Sequence, residues 1–486
     1  MMMSYAEQAR AREAGEGPGE AFELNEKSGP PDVNEELVTA RRALRTASWF
    51  AIFYLITTDI LGPSNAPYAF SQVGYVPGAI LYVVMGIAAC YTGLIIWKLF
   101  CALDSEHYPI RTYADLGERV FGTWFKHLCS SLQALQLIIN VGTICLSNAQ
   151  SVAQIAVANE FCFSIQILIW ALFGMIIGQI RTLKNYGWFA NFAVWINLLT
   201  IFITMGVVAH SPPNFAGAKA AYNFDPAPIV KVAFTHLPLF SKVNGIMQMV
   251  FAYGGAMIFP ELLAEMRRPM DFWKGMCCAQ LLIGTVYMMF GIFVYSFQGQ
   301  FTLPIAYQGM STFAWQTVGN ALSLVTGIIA AGLYGNIGIK VAYYHIIEQW
   351  LGGPPLMSKR GHIFWSITVV FYWALAFIVA SAIPQVQTIS GLVAAVCIMQ
   401  FTYTFPPFMY AGFHIRLDRL ASPSSSWVSI VFSNGSTRWY YKVFNLVLGL
   451  ACLSMACLGM YGSGKAIEAT FKAGGAATSF GCAAPV

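Results

Sequence analysis

The sequence predicts an all-α polytopic membrane protein with about eleven transmembrane helices, the first and sixth of them broken at mid-depth. Composition is the first reason. Of 486 residues, 57% are hydrophobic and 10% charged, and the mean hydropathy is +0.59; a soluble chain carries roughly 25% charged residues. The second reason is the recurrence of apolar stretches of about 20 residues, the length that crosses a bilayer as helix. The third is a pair of Gly/Pro interruptions inside two of those stretches. Gly62, Pro63 and Pro67 interrupt the first, and Gly254, Gly255 and Pro260 interrupt the sixth.

Taken in order, span 1 covers roughly 46–72, span 2 77–101, span 3 124–153, span 4 161–180 and span 5 186–209. A polar stretch at 210–242 follows. Span 6 covers 243–266, span 7 274–297, span 8 315–347, span 9 362–383, span 10 386–412 and span 11 440–462. The transmembrane domain is thus 46–465, with a first repeat at 46–209, a second at 243–412 and an extra helix at 440–462. Residues 1–45 have no apolar core of the kind a signal peptide needs. They hold Glu7, Glu13, Glu16, Glu20, Glu23 and Glu26 among Gly and Pro, and read as a disordered acidic cytosolic tail. Residues 466–486 read as a short extracytoplasmic tail.

Orientation follows from Lys and Arg, which accumulate in short cytoplasmic loops. With the N-terminus inside, Arg41, Arg42 and Arg45 flank span 1, and the 2–3 loop holds Arg111 and Arg119. The other inside loops hold Arg181 and Lys184, Arg267 and Arg268, Lys359 and Arg360, and Arg416, Arg419 and Arg438. The short loops 1–2, 3–4, 7–8 and 9–10 contain neither residue. Lys219, Lys231 and Lys242 lie in the long 5–6 loop, which is a weak vote. The odd span count puts the C-terminus outside. The one sequon, Asn434-Gly435-Ser436, then falls on the cytoplasmic side and is expected to be unused. Most of the eleven cysteines (Cys90, Cys145, Cys277, Cys278, Cys397, Cys452 and Cys457 among them) lie in apolar stretches. They read as small buried hydrophobes rather than a disulfide framework.

Lipid offers no partner to a freed N–H or C=O, so unwound backbone persists at membrane depth only within protein or beside a wet cavity. One break alone would read as a Pro/Gly kink of the kind common in membrane helices. Two, about 190 residues apart at the heads of corresponding five-helix halves, point to a secondary transporter's binding site. Freed N–H groups at 62–65 suit a carboxylate, and carbonyls near 59–61 and 251–253 suit an ammonium. That is the pair of charges an α-amino acid carries. Candidate substrate contacts are therefore Gly62, Pro63, Ser64, Asn65, Phe251, Ala252, Tyr253, Gly254 and Gly255. Asn148 and Asn336, with Asn140, Ser147 and Asn320, are candidate lining residues, although helix–helix hydrogen bonding explains any one of them.

Ionisable residues inside a membrane are costly and functional by default. Asp59 can neutralise a substrate ammonium or carry a coupling proton, or it is a polar residue capped by the break. Glu261 and Glu265 share one face of span 6; Glu261 is the deeper and a candidate for ion coupling, Glu265 a gate or interfacial ion pair. Lys340 can pair with a carboxylate across the bundle or snorkel to the cytoplasmic face. Tyr253, Phe251 and Tyr334 are candidate aromatic gates. The seven histidines all fall in loops or near helix ends, which argues against a transmembrane haem or zinc site. No P-loop, nucleophile–base motif or Lys/Arg-rich nucleic-acid face is present in the sequence.

The stretch from Gly62 to Pro67-Tyr68-Ala69-Phe70, followed by Gly74-Tyr75-Val76-Pro77-Gly78, has a familiar pattern. So have Tyr113-Ala114-Asp115-Leu116-Gly117 before Phe121-Gly122, and Phe251-Ala252-Tyr253 with Glu265-Met266. Together they resemble the amino acid/auxin permease family of the amino acid–polyamine–cation superfamily, most similar to fungal N-system-type neutral amino acid permeases, over about 40–465. Pro63 and Lys340 depart from that family's usual pattern. The resemblance implies a leucine-transporter-like fold, with a 5+5 inverted repeat plus one extra helix. It also implies proton-coupled symport of neutral L-amino acids by alternating access. The expectation is a monomeric, non-enzymatic permease in a lipid bilayer, the plasma membrane preferred over the vacuolar. It uses no cofactor beyond a proton gradient, with sodium left open, and no nucleic acid. The rival readings are an exchanger or vacuolar exporter of the same fold, and a receptor that senses amino acids without moving them.

Overall fold

In the computed structural model, described for residues 47–60, 62–105, 108–156, 161–180, 186–354, 356, 358–382, 385–472 and 480–482, the chain is built of helices. Among these residues the β pairing is one isolated parallel bridge, Ala47 with Met266. The acidic tail read at 1–45 lies outside the described residues.

Span 1 comprises α1 (Trp49–Ile60), a 3-10 turn (Pro63–Asn65) and α2 (Ala66–Val73); span 2 is α3 (Tyr75–Leu103). A loop helix, α4 (Tyr113–Phe121), precedes α5 (Thr123–Ile155), α6 (Phe163–Ile177) and α7 (Tyr186–His210), which are spans 3 to 5. The polar stretch holds α8 (Phe215–Tyr222). Span 6 comprises α9 (Leu239–Ala252), a 3-10 turn (Ala256–Ile258) and α10 (Phe259–Glu265). Then come α11 (Phe272–Gln298), α12 (Phe313–Ala342) with a π-helical end (Tyr343–Trp350), and α13 (Lys359–Ala382). Span 10 is α14 (Val386–Val393), a π-helical stretch (Ala394–Thr404) and α15 (Phe405–Ala421). A short α16 (Trp427–Val431) precedes α17 (Trp439–Lys472). All eleven predicted spans are thus helical. Nine helices among the described residues are long and apolar enough to cross a membrane; the divided span 1 and the 15-residue α6 complete the set.

The helices depart from the predicted bounds where polar chemistry extends them. Span 11 was expected to end at 462, yet α17 runs to Lys472. Its last turns are amphipathic, and Glu468 pairs with Lys465 at 2.8 Å and Lys472 at 2.6 Å, the i,i+3 and i,i+4 neighbours on one helix face. The π-helical stretch of span 10 runs up to two prolines. Pro406 and Pro407 have no N–H to donate, so carbonyls in the preceding turn lose their helical partner. The Tyr113 hydroxyl donates to one of them, Phe401 O, at 3.1 Å. Tyr113 is placed for this by α4, whose start is fixed by a reciprocal cap. Thr112 Oγ1 accepts from Asp115 N at 3.2 Å, and Asp115 Oδ2 accepts from Thr112 N at 3.2 Å.

The 10–11 loop is closed by a buried ion pair. Lys442 Nζ, fully inaccessible, donates to Asp418 Oδ2 and to the carbonyls of Ile430 (2.8 Å) and Ser433 (2.9 Å). Three acceptors satisfy all three ammonium protons, the condition under which a buried lysine is tolerated.

One element of the cysteine reading is corrected. Cys162 and Cys482, 320 residues apart, form a disulfide; the other nine cysteines are free thiols. The bridge fastens a tail segment across two helix ends. The first amides of α6 have no intrahelical acceptor, and the tail supplies them: Phe163 N donates to Cys482 O at 3.0 Å and Ser164 N to Gly481 O at 3.3 Å. Phe480 N in turn donates to Ser381 O, in the last turn of α13, at 3.1 Å. The tail therefore caps two neighbouring helix ends at once. Peptide mapping without reductant is expected to find Cys162 joined to Cys482. Cys482→Ser should lower the stability of the purified protein by roughly 2–4 kcal/mol, read as a lower thermal midpoint; an unchanged midpoint would show that the clasp is idle.

Candidate functional site

The two breaks form as the residues dictate. At the first, α1 ends at Ile60 and α2 restarts with Pro67 in its first turn. Between them Gly62 is exposed, and a Cβ built on it meets no atom within 4 Å. Its amide donates to the Tyr287 hydroxyl of α11 at 3.2 Å, so the freed N–H has a side-chain partner. At the second break the chain tightens into i→i−3 bonds, Tyr253 N to Val250 O and Gly254 N to Phe251 O, both 3.2 Å. It re-enters helix at α10 with Pro260 in the first turn. Gly254 is there for packing: a Cβ would stand 2.7 Å from Ile398 Cδ1 of the π-helical stretch. The two breaks are tied together by Gln248 of α9, whose Oε1 accepts from Asn65 Nδ2 (3.2 Å) and from Ser390 Oγ of α14 (3.0 Å).

A cavity of about 260 Å³ opens beside both breaks. Gly62, Ser64 and Asn65 line it from the first break, and Phe251 and Gly254 from the second. Three helices add polar stripes at i, i+3, i+7 spacing, which places each set on one face. They are Asn140, Thr143 and Ser147 of α5, Asn197, Thr200 and Thr204 of α7, and Ser323 and Thr326 followed by Ala330 of α12. Tyr307, in a 3-10 turn (Ala306–Gly309) between α11 and α12, reaches across two of these helices. Its hydroxyl accepts from Ser323 Oγ at 2.5 Å and lies 3.4 Å from Ser147 Oγ. None of the described lining residues is Asp, Glu, Lys, Arg or His.

Of the residues expected from sequence, the cavity gathers Gly62, Ser64, Asn65, Phe251, Gly254 and Asn148, with Asn140, Ser147 and Tyr334. Tyr253 is placed elsewhere. It is buried and donates to Tyr82 O at 3.0 Å, anchoring the second break to α3. Ala252 and Gly255 are not among the lining residues. Asn336 Nδ2 donates to Ile180 O, beyond the end of α6, outside the cavity. The side chains of Asp59 and Pro63 lie outside what is described. Sequence reading missed Tyr287, Tyr307, Thr143, Ser323, Thr326 and the α7 stripe. The i, i+3, i+7 recurrence of Asn, Ser and Thr within apolar spans is the signal that finds most of them.

The charged candidates stand apart from the cavity. Glu261, on α10, accepts from Gln133 Nε2 of α5 at 3.0 Å, and its other oxygen is buried beside the Tyr113 backbone. No Lys, Arg or His among the described residues pairs with it. Glu265 is exposed, and its carbonyl accepts from Ala47 N at 3.2 Å, while Arg267 N donates to Ala47 O at 2.9 Å. This two-bond bridge joins the segment before α1 to the end of α10. Lys340 interacts with Glu265 through space, without a direct ion pair.

These environments separate two glycines that look equivalent in the sequence. Gly62→Ala should fold with stability within about 0.5 kcal/mol of the parent and lose ligand affinity about tenfold or more, by filling cavity space. Gly254→Val should be destabilised by about 1–3 kcal/mol through overpacking on Ile398. Thermal unfolding and ligand-binding measurements on the two purified variants check this, and reversed behaviour would contradict the assignment.

The profile of the family described as "Transmembrane amino acid transporter protein" matches residues 45–413. The chain is 26% identical over 369 residues to a Neurospora crassa protein named N amino acid transport system protein, covering 74% of each chain. It is 24% identical over 374 residues to a transmembrane transporter of Gibberella moniliformis, 75% of each. It is 22% identical over 339 residues to lysine histidine transporter-like 4 of Arabidopsis thaliana, 65% of this chain and 68% of that one. With a match that runs from the segment before α1 into α15, around both helix breaks, the chain belongs to the transmembrane amino acid transporter family, the amino acid/auxin permeases.

Proposed function

We propose that this protein moves neutral amino acids across its membrane together with protons, by exposing the cavity between the helix breaks alternately to each face. The observation that carries the reading is the cavity itself. It lies against the irregular backbone of both breaks, where the two charges of an α-amino acid can be received, and it has no Asp, Glu, Lys, Arg or His among its described lining residues. A relative named as an N amino acid transport system protein supports the amino acid cargo. The uncharged lining favours neutral side chains over the cationic cargo in the name of the plant relative.

Glu261 is the proposed proton carrier. It sits on the half-helix that begins just after the second break, bonded to Gln133 of α5, and no Lys, Arg or His among the described residues pairs with it. Gain or loss of its proton changes the hydrogen bond that joins α10 to α5, and so links charge movement to the break. Position of the breaks at the heads of corresponding halves supports an inverted repeat. The Lys/Arg asymmetry supports a cytosolic N-terminus and an extracytoplasmic C-terminus. So does a disulfide joining the 3–4 loop to the tail, since disulfides persist on the oxidising side. The cavity is complete within one chain, which supports function as a monomer.

Uptake of labelled amino acids into proteoliposomes, with and without an inward proton gradient, tests the reading. Accumulation that collapses with a protonophore is expected. Equal, non-concentrating uptake would instead indicate a uniporter or exchanger, and binding without uptake a receptor. Glu261→Gln is expected to lose concentrative uptake at least tenfold while substrate exchange continues; concentrative uptake surviving in that variant would remove Glu261 from the coupling step.

A further inference from the structure

The polar wall of the cavity does more than wet it. The three stripes bring neutral hydroxyl and carboxamide groups from α5, α7 and α12 to one space, and the direction of their hydrogen bonds is set by their own helices. A threonine hydroxyl has one proton to give. Thr143 spends it on Ile139 O at 2.9 Å, Thr200 on Ile196 O at 2.9 Å, and Thr326 on Ser323 O at 3.1 Å. Ser323 spends its proton on Tyr307. Each of these oxygens therefore retains acceptor capacity and no donor. Asn140, 9% exposed, adds a side-chain oxygen without a partner.

We propose that this wall is a side-chain subsite that selects uncharged side chains able to donate hydrogen bonds, primary carboxamides foremost and hydroxyls next. The proposal rests on the reading of the cavity as the substrate site. A carboxylate side chain would meet these acceptors and only neutral donors such as the Asn140 and Asn148 amides, with no Lys, Arg or His among the described lining residues, and is disfavoured. An ammonium would find acceptors but no countercharge, and burial of an uncompensated charge is disfavoured. An aliphatic side chain of equal length would leave desolvated acceptors unpaired. A site built to receive a donor rejects an analogue lacking it far more strongly than an apolar pocket distinguishes sizes. Among chains of similar length the order is thus glutamine over methionine, with glutamate and lysine excluded.

The test is competition of unlabelled glutamine, methionine, glutamate and lysine against a labelled neutral substrate in proteoliposomes of the full chain. Glutamine is expected to compete at least tenfold better than methionine, and the charged pair not to compete. Thr143→Val, isosteric with the parent, and Asn140→Leu should each narrow the glutamine-to-methionine ratio by threefold or more. Methionine matching or exceeding glutamine in the parent protein would overturn the proposal, as would ratios unmoved in both variants. Uptake of neutral amino acids without side-chain preference would overturn the subsite alone. Absence of binding and uptake for every amino acid would overturn the transporter reading and the subsite with it.

Discussion

A peptide group released from its helix inside a bilayer has no water to turn to, and leaving it unpaired costs several kcal/mol. Every feature around the cavity answers that constraint. The Gly62 amide is received by Tyr287. The loosened turn at Tyr253–Gly254 is tightened by short-range bonds and pinned to Tyr82 by a phenol. The carbonyl of Phe401, orphaned by the prolines that follow, is received by Tyr113. Three tyrosines thus take part in stabilising irregular backbone in three spans. Their hydroxyls suit the task because each stands at the end of a rigid apolar ring that packs within the core.

The same constraint explains why the charged candidates and the cavity are separate. An ionised group beside an open cavity can be solvated, but it also fixes the sign of any cargo. Here the cavity wall is neutral, and Glu261 sits behind it on α10, bonded to α5. In the proposed reading the carboxyl that changes charge is one outside the cavity lining. Its influence in that reading passes through the Gln133 hydrogen bond to α5, which is also one wall of the cavity. Cargo and coupling ion are, in the same reading, given different residues and a shared helix.

The two faces of the protein are closed by different chemistry. One set of loops is held by charge: Lys442 buried on Asp418, and Lys126 of α5 between Asp115 and Glu118 of α4. The other is held by a covalent bridge and by tail carbonyls that cap α6. The charged latches lie where the positive residues accumulate, and the disulfide lies where they are scarce, so both follow the polarity expected of a membrane protein.

Hydrophobic run length, Gly/Pro chemistry and charge asymmetry are local properties, and they were sufficient for the helix count and the two breaks; the family came from resemblance of short motifs such as Phe251-Ala252-Tyr253 with Glu265-Met266. Gly62, Phe251 and Gly254 were legible as a site because lipid penalises unwound backbone wherever it occurs. What lay beyond reach was set by approach of residues far apart in the chain. Tyr287 meets Gly62 across 225 positions, and Cys162 meets Cys482 across 320. Tyr253 and Asn336 carry the right chemistry for a binding site, yet packing turns them to Tyr82 and Ile180. Threonines of α5, α7 and α12 become one wall only when the three helices are brought together. Sequence records which groups a segment must satisfy; the tertiary arrangement chooses the partner, because a hydrogen bond depends on a distance of a few ångströms that no spacing along the chain encodes.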